Sequence, residues 1–483
     1  MTTTTAERTP GRPLHPGGPA PSPTRRRLPR VAPWWRDAVG VATWVSMLVV
    51  VALWVSGGGV QDLGGWASGL TSLGRLTGLV SADLLLVQVL LMARIPMVER
   101  VYGQDELARR HRLVGFTSFN LMVAHLLLIT LGYASQYGRN PVAELWDFTV
   151  NYPGMLLAVA GTLLLVLVTA TSIRQARKKL RYESWHLLHL YAYLGVGLAL
   201  PHQLWTGQEF LANGFATVYW WTLWAAAAGA VLVWRVGVPV YRTLRHDLRV
   251  VAVVRENHDT VSVWMRGRHL HQLPVAAGQF FSWRFLTGHG TGWTRAHPYS
   301  LSAAPTGDTL RITVKDLGDG SKALEHLPVG TRVAVEGPYG SLHEGVRTRR
   351  KVTLLASGIG VTPLRALLEE LPAAAGDLTL VYRARDEKDL VLKAELDRLA
   401  AARGARVFYV LGRRAVRRDG SSSWLPQSAA HLSDPQGLLQ LVPDVKHHDV
   451  YLCGAQEWMD AAVAAARAAG VPDEHIHLER FSW

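Results

Sequence analysis

Six long apolar stretches dominate the first half of the 483-residue chain. Each comes close to the roughly 20 residues that a helix needs to cross the hydrocarbon core of a bilayer. They lie at 34–55, 72–93, 111–134, 153–173, 184–205 and 214–236. The pattern predicts six membrane-spanning helices. Residues 1–33, rich in Thr, Pro, Gly and Arg, are expected to form a disordered tail.

The hydrophobic pattern changes after about residue 245. Short alternating segments such as 249–256 and 309–316, separated by Gly and Pro turns, predict a small antiparallel barrel. From Lys351 onward, apolar strands alternate with helices, which indicates an open parallel sheet. We therefore expect a multidomain membrane protein with four regions, namely the tail at 1–33, a helical transmembrane domain at 34–237, a β-barrel at 238–345 and an α/β domain at 346–483.

Positive charge is distributed unevenly around the apolar stretches, and the net charge is +14. Basic residues concentrate in the tail and in two loops: Arg25, Arg26, Arg27, Arg94, Arg100, Arg109, Arg110, Arg174, Arg177, Lys178, Lys179 and Arg181. The opposite loops offer little beyond Arg75 and Arg139. This asymmetry follows the positive-inside rule. We expect a multi-pass protein of the cell membrane with both termini in the cytoplasm, and no nucleic-acid partner.

Histidines occur inside two of the apolar stretches, where an unpaired imidazole is costly. The third stretch carries His111 and His125, and the fifth carries His189 and His202. At about 1.5 Å per helical residue, these pairs are separated by roughly 21 Å and 20 Å along their helices. Two helices would thus present imidazoles at two matching depths, as two stacked haems require. The single cysteine, Cys453, excludes an all-cysteine iron–sulfur cluster within this chain.

Helical geometry supports one half of this assignment and not the other. At about 100° per residue, His111 and His125 share a face, whereas His202 lies about 140° away from His189 on an ideal helix. Pro201 precedes His202 and is expected to change the local winding. His186 fits the spacing less well than His189. The alternative is that these histidines are hydrogen-bonded residues at helix ends. Asp83, inside the second stretch, is either functional or a structural hydrogen-bond partner.

Six motifs follow one another in the second half of the chain: HPYSLSAAP (297–305), GDGS (318–321), GPYG (337–340), GIGVTP (358–363), YLCGAQEWM (451–459) and ERFSW (479–483). In this order and spacing they resemble the ferredoxin–NADP reductase superfamily. Joined to six predicted spans with paired histidines, the chain beyond its tail resembles the ferric reductase and NADPH oxidase family of transmembrane electron carriers.

The resemblance implies a site for FAD on the barrel. Tyr299 would lie against the flavin ring, and Ser300 would form a hydrogen bond near its reactive nitrogen. His297 stands where soluble relatives often have an arginine that holds the pyrophosphate, and the turn at 318–321 matches the one that binds this group. The residues expected to bind FAD are His297, Pro298, Tyr299, Ser300, Gly318 and Ser321.

The resemblance also implies a nicotinamide-nucleotide site on the α/β domain, where a glycine turn and a helix N-terminus suit a phosphate. Cys453 would help to align the hydride, although a buried core cysteine is the simpler alternative. Phe481, after Glu479, would cover the flavin until nicotinamide displaces it; Trp483 is the alternative cover. With Ser300, Cys453 and Phe481 are the expected catalytic residues. The expected nucleotide-binding residues are Gly358, Gly360, Thr362, Pro363, Arg385, Cys453 and Gly454.

Arg385 is included because of its position after the second predicted parallel strand. A guanidinium there would suit the 2′-phosphate of NADPH, since its planar fork donates two charge-assisted hydrogen bonds. Asp386 follows directly and resembles the second residue of an Arg-Asp pair in the oxidase branch. The alternative is a solvated arginine paired with Asp386. We expect NADPH as the electron donor, with NADH possible.

These parts together predict a transmembrane oxidoreductase. Electrons would pass from cytoplasmic NAD(P)H through FAD to two b-type haems, the inner held by His111 and His189 and the outer by His125 and His202. The expected acceptor is a ferric or cupric ion at the outer face, because Ile129 stands where the superoxide-producing branch commonly has a second histidine. The alternatives are a superoxide-generating NADPH oxidase, with dioxygen as acceptor, and an electron-supplying subunit for a quinone or a partner protein.

Overall fold

The computed structural model describes residues 34–173, 182–287, 296–417 and 420–479. The amino-terminal part is helical, with α1 Trp34–Ser56, α2 Trp66–Met92, α3 Pro96–Tyr137, α4 Pro141–Asn151, α5 Met155–Ser172, α6 Tyr182–Trp205, α7 Gly214–Ala230 and α8 Val238–His246. A π-helical segment, Val231–Gly237, joins α7 to α8. The predicted tail and the basic loop at 174–181 lie outside the described residues.

Local sequence signals explain several helix boundaries. Helix α3 begins at Pro96, whose fixed φ and missing N–H suit a first helical turn. It is interrupted at Gly103, with φ 72°, and ends at Gly138, which adopts the left-handed conformation that glycine favours. Helix α4 begins after Asn140, whose side chain accepts a hydrogen bond from the N–H of Val142.

Within the described residues, five helical segments are long and apolar enough to cross a membrane: Trp34–Ser56, Trp66–Met92, Glu106–Tyr137, Met155–Ser172 and Gly214–His246. They correspond to five of the six predicted spans. The remaining predicted span forms helix α6, which contains three histidines. The helical, membrane-type domain is therefore confirmed, and the count of six crossings stays a prediction.

Close packing between helices relies on glycine and on one buried carboxyl group. A Cβ at Gly161 of α5 would lie 2.6 Å from the carbonyl oxygen of Gly195 of α6, so these backbones approach more closely than larger residues allow. The fully buried Asp83 of α2 accepts hydrogen bonds from Ser46 of α1, at 2.5 Å, and from Tyr219 of α7, at 3.0 Å. Asp83 thus links three helices.

An antiparallel sheet of six strands follows the helical domain, in the order β4-β3-β6-β1-β2-β5. Its strands are β1 Leu248–Arg255, β2 Thr260–Arg266, β3 Phe280–Leu286, β4 His297–Ser300, β5 Thr309–Lys315 and β6 Arg332–Tyr339. The outermost strands β4 and β5 are connected by an isolated bridge between Leu301 and Ile312. The sheet encloses an apolar core that includes Trp283 and Phe281. We call this unit the flavin sheet.

The last part of the chain is a five-stranded parallel sheet, in the order β13-β12-β7-β8-β9, with helices between its strands. Its strands are β7 Lys351–Ser357, β8 Leu378–Ala384, β9 Arg406–Leu411, β12 His448–Cys453 and β13 Ile476–Glu479. The helices are α9 Val361–Glu370, α10 Lys393–Arg403, α11 Asp434–Leu441 and α12 Gln456–Ala468, and a hairpin comprises β10 Arg414–Val416 and β11 Ser422–Pro426. This is the predicted open α/β sheet, with a separate buried apolar cluster on each face.

Candidate functional site

The histidines of α3 and α6 lie together in the structure as two pairs. The rings of His111 and His189 are 5.9 Å apart between centroids and are inclined by 66°. His125 and His202 are close enough to interact electrostatically. The structure thus brings His111 near His189 and places His125 within electrostatic range of His202, and ligation of haem by these residues stays a prediction. Helix α6 continues through Pro201 as far as Trp205.

Helix α2 orients the imidazole of His125. The Nδ1 atom lies 2.8 Å from the carbonyl oxygen of Gly74, which it can reach as an N–H donor. One turn along, Gly78 leaves the ring its space, because a Cβ there would lie 2.5 Å from the same Nδ1. His111 has a longer contact of the same kind, 3.4 Å from Nδ1 to the carbonyl oxygen of Gln88. An imidazole held through Nδ1 presents Nε2 to a ligand, as metal-binding histidines commonly do.

The α6 histidines are held by helix α5 and the turn before it. Gly154, with φ 79°, lies against the backbone of His202, where a Cβ would be 2.8 Å from the nitrogen. The Nδ1 of His189 lies 3.3 Å from the hydroxyl oxygen of Ser172 at the end of α5. The indole of Trp185 packs on His189 with ring centroids 5.0 Å apart. His189 and His202 are thus each contacted by a residue outside α6.

The HPYS motif forms strand β4 at the edge of the flavin sheet. Its backbone is fixed by Trp283, whose indole N–H donates to the carbonyl oxygen of Tyr299 at 2.8 Å. The side chains of His297 and Tyr299 project to the same face with nearly parallel rings, and burial raises the pKa of the Tyr299 phenol. The hydroxyl oxygen of Ser300 is buried and has no hydrogen-bond partner among the described residues. A buried polar atom without a partner fits a ligand contact.

The GDGS turn lies beside this motif. A Cβ at Gly320 would be 2.7 Å from the His297 imidazole, so the turn touches the residue with which it is expected to share the FAD pyrophosphate. Ser321 stabilises the turn by donating to the carbonyl oxygen of Gly318 and accepting from the N–H of Leu317, at 2.9 and 2.8 Å. Two motifs separated by about twenty residues thus form one surface.

The GIGVTP motif and the Cys-Gly pair meet at the carboxyl edge of the parallel sheet. Strands β7 and β12 are neighbours, and Gly360 approaches so closely that a Cβ would lie 2.3 Å from the carbonyl oxygen of Cys453. Thr362 donates to the carbonyl oxygen of Ile359 at 2.9 Å, and Pro363 lies in the first turn of α9. Gly358 has φ 54°, a left-handed conformation that glycine tolerates. Nucleotides commonly bind at such an edge.

Cys453 is completely buried in β12. Burial raises the pKa of its thiol well above the usual value, and the neighbouring Glu479 carboxylate raises it further. The thiol is therefore neutral at physiological pH, so Cys453 contributes shape rather than a reactive thiolate. Glu479 also accepts a hydrogen bond from the N–H of Ser341, at 3.0 Å. Phe481 and Trp483 lie outside the described residues.

Two arginines that lie two positions apart in the sequence have different surroundings in the structure. Arg383 is buried, and its guanidinium donates to the carbonyl oxygens of Ala384, Val410 and Gly412. Arg385, just beyond β8, is exposed. Its side chain is accessible at the edge of the sheet where the adenosine end of a nucleotide is expected.

Sequence reasoning missed the residues that support the histidines. Gly74, Gly78 and Ser172 carry no recognisable motif, and their role depends on which helices pack together. It also missed the contacts of Arg94 with the flavin sheet, which join residues far apart in the chain. A glycine repeated after four residues at 74 and 78 is the one sequence signal, since small residues allow close helix contact.

Comparison with known families covers each of these units. The model described as "Ferric reductase like transmembrane component" matches residues 77–200. The "Oxidoreductase FAD-binding domain" matches 247–343, and the "Oxidoreductase NAD-binding domain" matches 354–464. The chain belongs to the ferric reductase and NADPH oxidase family. As a member of this family, it combines a membrane-type helical domain with FAD- and NAD-binding oxidoreductase domains.

Individual relatives match about half of the chain or less. The ferredoxin reductase component of 3-ketosteroid-9-alpha-monooxygenase from Mycolicibacterium smegmatis is 32% identical over 49% of this chain and 65% of its own length. The chain thus spans less than two thirds of that relative. Ferredoxin–NADP reductase B from Sorangium cellulosum is 30% identical over 38% of this chain and 77% of its own length. A solved ferredoxin reductase in carbazole 1,9a-dioxygenase has a TM-score of 0.39 and 22% identity, covering 49% of this chain and 69% of that one.

Proposed function

We propose that this chain passes electrons from cytoplasmic NADPH through FAD and two b-type haems to a metal ion, ferric or cupric, on the opposite face of the membrane. The observation that carries the proposal is the arrangement of two histidine pairs at two levels of α3 and α6. A bundle with one such pair could reduce an acceptor within its own half of the membrane. Two levels suit a path across the whole bilayer.

The flavin sheet and the helical bundle have complementary tasks. A bound flavin would accept two electrons as a hydride and pass them on singly to haem irons. Tyr299 would pack against the flavin ring as a neutral phenol, and Ser300 would supply the hydrogen bond for which its buried hydroxyl has no protein partner among the described residues. His297 and the turn at 318–321 would hold the pyrophosphate.

The α/β domain would bind and align the nucleotide. The turn at 358–360 lets a phosphate approach the backbone at the start of α9. Cys453 and Gly454, packed against this turn, would shape the floor beneath the nicotinamide, and Phe481 would cover the flavin face until the nicotinamide arrives. Arg385 is exposed where it could bind a 2′-phosphate.

The four histidines fit haem ligation through their supporting contacts. His111 and His125 each direct Nδ1 at a backbone carbonyl, which leaves Nε2 for a metal. We assign His111 and His189 to the inner haem and His125 and His202 to the outer one. The flavin sheet contacts the bundle at the turn between α2 and α3, through Arg94 and Glu336. This end of the bundle would therefore face the cytoplasm, as would both termini of the chain.

The far end of the bundle favours a metal acceptor over dioxygen. Ile129, one turn beyond His125, packs against α2 so tightly that a Cβ at Gly74 would lie 2.8 Å from its side chain. Position 129 therefore provides no polar group for dioxygen. Ion pairs at this end contain more carboxylates than guanidinium groups, which favours a cationic acceptor: Arg75 with Asp62 and Glu209, and Arg139 with Glu144 and Asp147.

Cofactor quantitation on the purified full-length protein tests the proposal. We expect about two b-type haems and one FAD per chain, by pyridine-haem and flavin absorbance. NADPH should then reduce both, and a ferric chelate should reoxidise them. A preparation loaded with flavin and devoid of haem would exclude the transmembrane path, whereas haem reoxidised by dioxygen alone would move the assignment to the oxidase branch.

A second candidate is an electron-supplying subunit. It is favoured by relatives whose names describe reductase components of larger systems, such as the reductase subunit of glycine betaine monooxygenase from Chromohalobacter salexigens, 28% identical over 49% of this chain and 64% of its own length. A stoichiometric partner that co-purifies with the chain, and without which NADPH reduces no metal acceptor, would support this candidate. Full NADPH-to-ferric activity by the isolated chain would exclude it.

A further inference from the structure

A buried cluster of charged groups joins the helical bundle to the flavin sheet. Arg94, in the turn between α2 and α3, is paired with Glu99 at 3.0 Å and with Glu336 of β6 at 3.7 Å, and its side chain is 10% exposed. Its guanidinium lies over the ring of Tyr339, 4.1 Å from the centroid. The Tyr339 hydroxyl donates to Glu336 at 2.9 Å. We call Arg94, Glu99, Glu336 and Tyr339 the charged junction.

A second arginine relates the charged junction to the inner histidine pair. Arg235, in the π-helical segment, connects the two regions. It donates to the carbonyl oxygen of Met92 at 3.0 Å and interacts electrostatically with Glu99 and Glu336. It also interacts electrostatically with the inner histidines His111 and His189. The charged junction and the inner histidine pair are therefore both within electrostatic range of one residue, Arg235.

The backbone of Arg94 is held in an unusual conformation. Its φ of 65° is in the left-handed region, which costs a non-glycine residue free energy and persists where the surroundings fix it. Glycine would adopt this φ more easily. Glycine, however, has no side chain that could contact the two carboxylates and the aromatic ring, as the guanidinium of Arg94 does. The turn thus keeps a strained backbone in order to present a guanidinium to the flavin sheet.

Such a cluster is better suited to fixing a geometry than to stabilising a fold. Buried ion pairs contribute little net stability, because desolvation offsets their attraction, but removing one partner leaves an uncompensated charge. A cation over an aromatic ring restricts orientation further. Docking by apolar contacts alone would tolerate small shifts of one surface against the other. The guanidinium, which is ion-paired with Glu99 and Glu336 and lies over the ring of Tyr339, tolerates few.

We propose that Arg94 is a positioning residue that sets the distance and orientation of the flavin sheet relative to the inner histidine pair, and thereby the rate at which electrons pass from flavin into the membrane domain. The electron-transfer test of this inference rests on the proposed function. A second test, by distance measurement, rests only on the interface between the bundle and the flavin sheet. Arg94 is not among the residues assigned to the nucleotide or to FAD, so reduction of the flavin by NADPH should not depend on it.

The test compares Arg94→Gly with wild type in full-length protein in proteoliposomes. Arg94→Gly removes the guanidinium while suiting the backbone. One rate is NADPH-driven reduction of a soluble dye that takes electrons from the flavin, and the other is reduction of ferricyanide enclosed in the lumen. We expect the dye rate to stay within about twofold and the lumenal rate to fall by at least about tenfold, since small displacements have large effects on rates. Arg94→Lys, which keeps the charge, should recover part of the lumenal rate.

Two further variants separate positioning from general damage. Arg109→Ala removes a mostly exposed arginine near the start of the third span, paired with Glu106 at 2.8 Å, and should leave both rates unchanged. Tyr339→Leu removes the ring without leaving an unpaired charge. It should lower the lumenal rate, and it serves as the test if Arg94→Gly does not fold. An unchanged lumenal rate in Arg94→Gly, or in Tyr339→Leu if the former is unfolded, would overturn the proposal. A parallel fall of dye and lumenal rates would do the same.

A distance measurement keeps this inference distinct from the proposed function. Spin labels at Arg109→Cys on the bundle and Leu317→Cys, an exposed position on the flavin domain, report their separation by electron double resonance. The single native cysteine is buried. We expect one narrow distance distribution in wild type and a broad one with Arg94→Gly, whether or not haem is present. Identical distributions would refute the positioning role even if electron transfer across the bundle were demonstrated.

Discussion

Arg385 is exposed immediately after strand β8, at the edge of the sheet where nucleotides bind. If its guanidinium binds the 2′-phosphate, Arg385→Ala should weaken NADPH binding about 10- to 150-fold and change NADH binding little. The measurement is the KM and Kd for each nucleotide in the full-length protein. Equal losses for both nucleotides would show that Arg385 does not contact the phosphate.

Sequence could not distinguish Arg385 from Arg383. Both follow the same apolar strand, and both are chemically able to bind a phosphate. The fold buries Arg383 and occupies its guanidinium with three carbonyl oxygens, including that of Gly412, which lies beyond the next strand. Because those carbonyls belong to β8, to β9 and to the turn after β9, which meet only in the folded sheet, the difference is a tertiary one. Arg383→Ala should therefore lower stability rather than change nucleotide preference.

Substitution of Gly78 tests the proposed outer haem site. Gly78 is not a proposed haem ligand but lies against the imidazole of His125. In Gly78→Ala the added Cβ would lie 2.5 Å from Nδ1 of His125, so the imidazole must rotate or its helix must move. We expect loss or a spectral shift of the outer haem, with the inner one retained, in low-temperature absorption and EPR spectra.

Gly229→Ala is the matched control for this substitution. Gly229 lies in helix α7, and a methyl group added there would meet no neighbouring atom within 4 Å. Alanine should therefore be tolerated, and its higher helix propensity should favour the helix slightly. Unchanged spectra for both variants would show that Gly78 is not needed to orient His125.

Among the elements, α3 and α6 show which structural features the sequence pattern predicts and which it does not. The length of the apolar stretches predicted both helices, and the spacing of the histidines within them predicted two levels of histidine pairs. Ideal geometry placed His202 about 140° from His189, yet the structure brings His202 near His125 while α6 remains helical through Pro201. Contacts with neighbouring segments, such as that of Gly154 in the turn before α5 with the backbone of His202, are not included in ideal helical geometry. The break at Gly103 in α3 was likewise absent from our expectations.

Substitution of the two histidines of α3 tests the order of the proposed path. His111→Ala should block electron entry into the bundle, so neither haem is reduced by NADPH. His125→Ala should leave the inner haem reducible and abolish reduction of the remote acceptor. Both should retain reduction of a soluble dye by the flavin, measured in a stopped-flow instrument. His186→Ala, on α6 but outside the proposed pairs, is the control. Wild-type acceptor reduction with both haems ligated in either α3 variant would contradict the pairing.

At the scale of the whole molecule, the sequence predicted the order of the units but not how they meet. Apolar stretches, alternating strands and the six motifs indicated a helical domain, an antiparallel sheet and an α/β domain, all present in the structure. In the charged junction, Arg94 contacts Tyr339, although the two residues are more than two hundred positions apart in the sequence. Neither residue belongs to a sequence pattern from which this contact could be predicted. Interfaces between domains depend on shape and on local strain such as the φ of Arg94, which no periodicity records.

The whole molecule makes one further prediction, which concerns charge movement. If electrons cross from the flavin side to the far end while protons stay behind, turnover must build a membrane potential. In proteoliposomes with NADPH outside and a ferric chelate in the lumen, the lumen should become negative, as a potential-sensitive dye would report. Valinomycin with potassium should then raise the rate of lumenal reduction by relieving that potential, because moving one charge against 100 mV costs about 2.3 kcal/mol. His111→Ala should abolish both signals. Lumenal reduction without a potential would mean that a proton accompanies each electron, and reduction confined to the outside would place the acceptor on the flavin side.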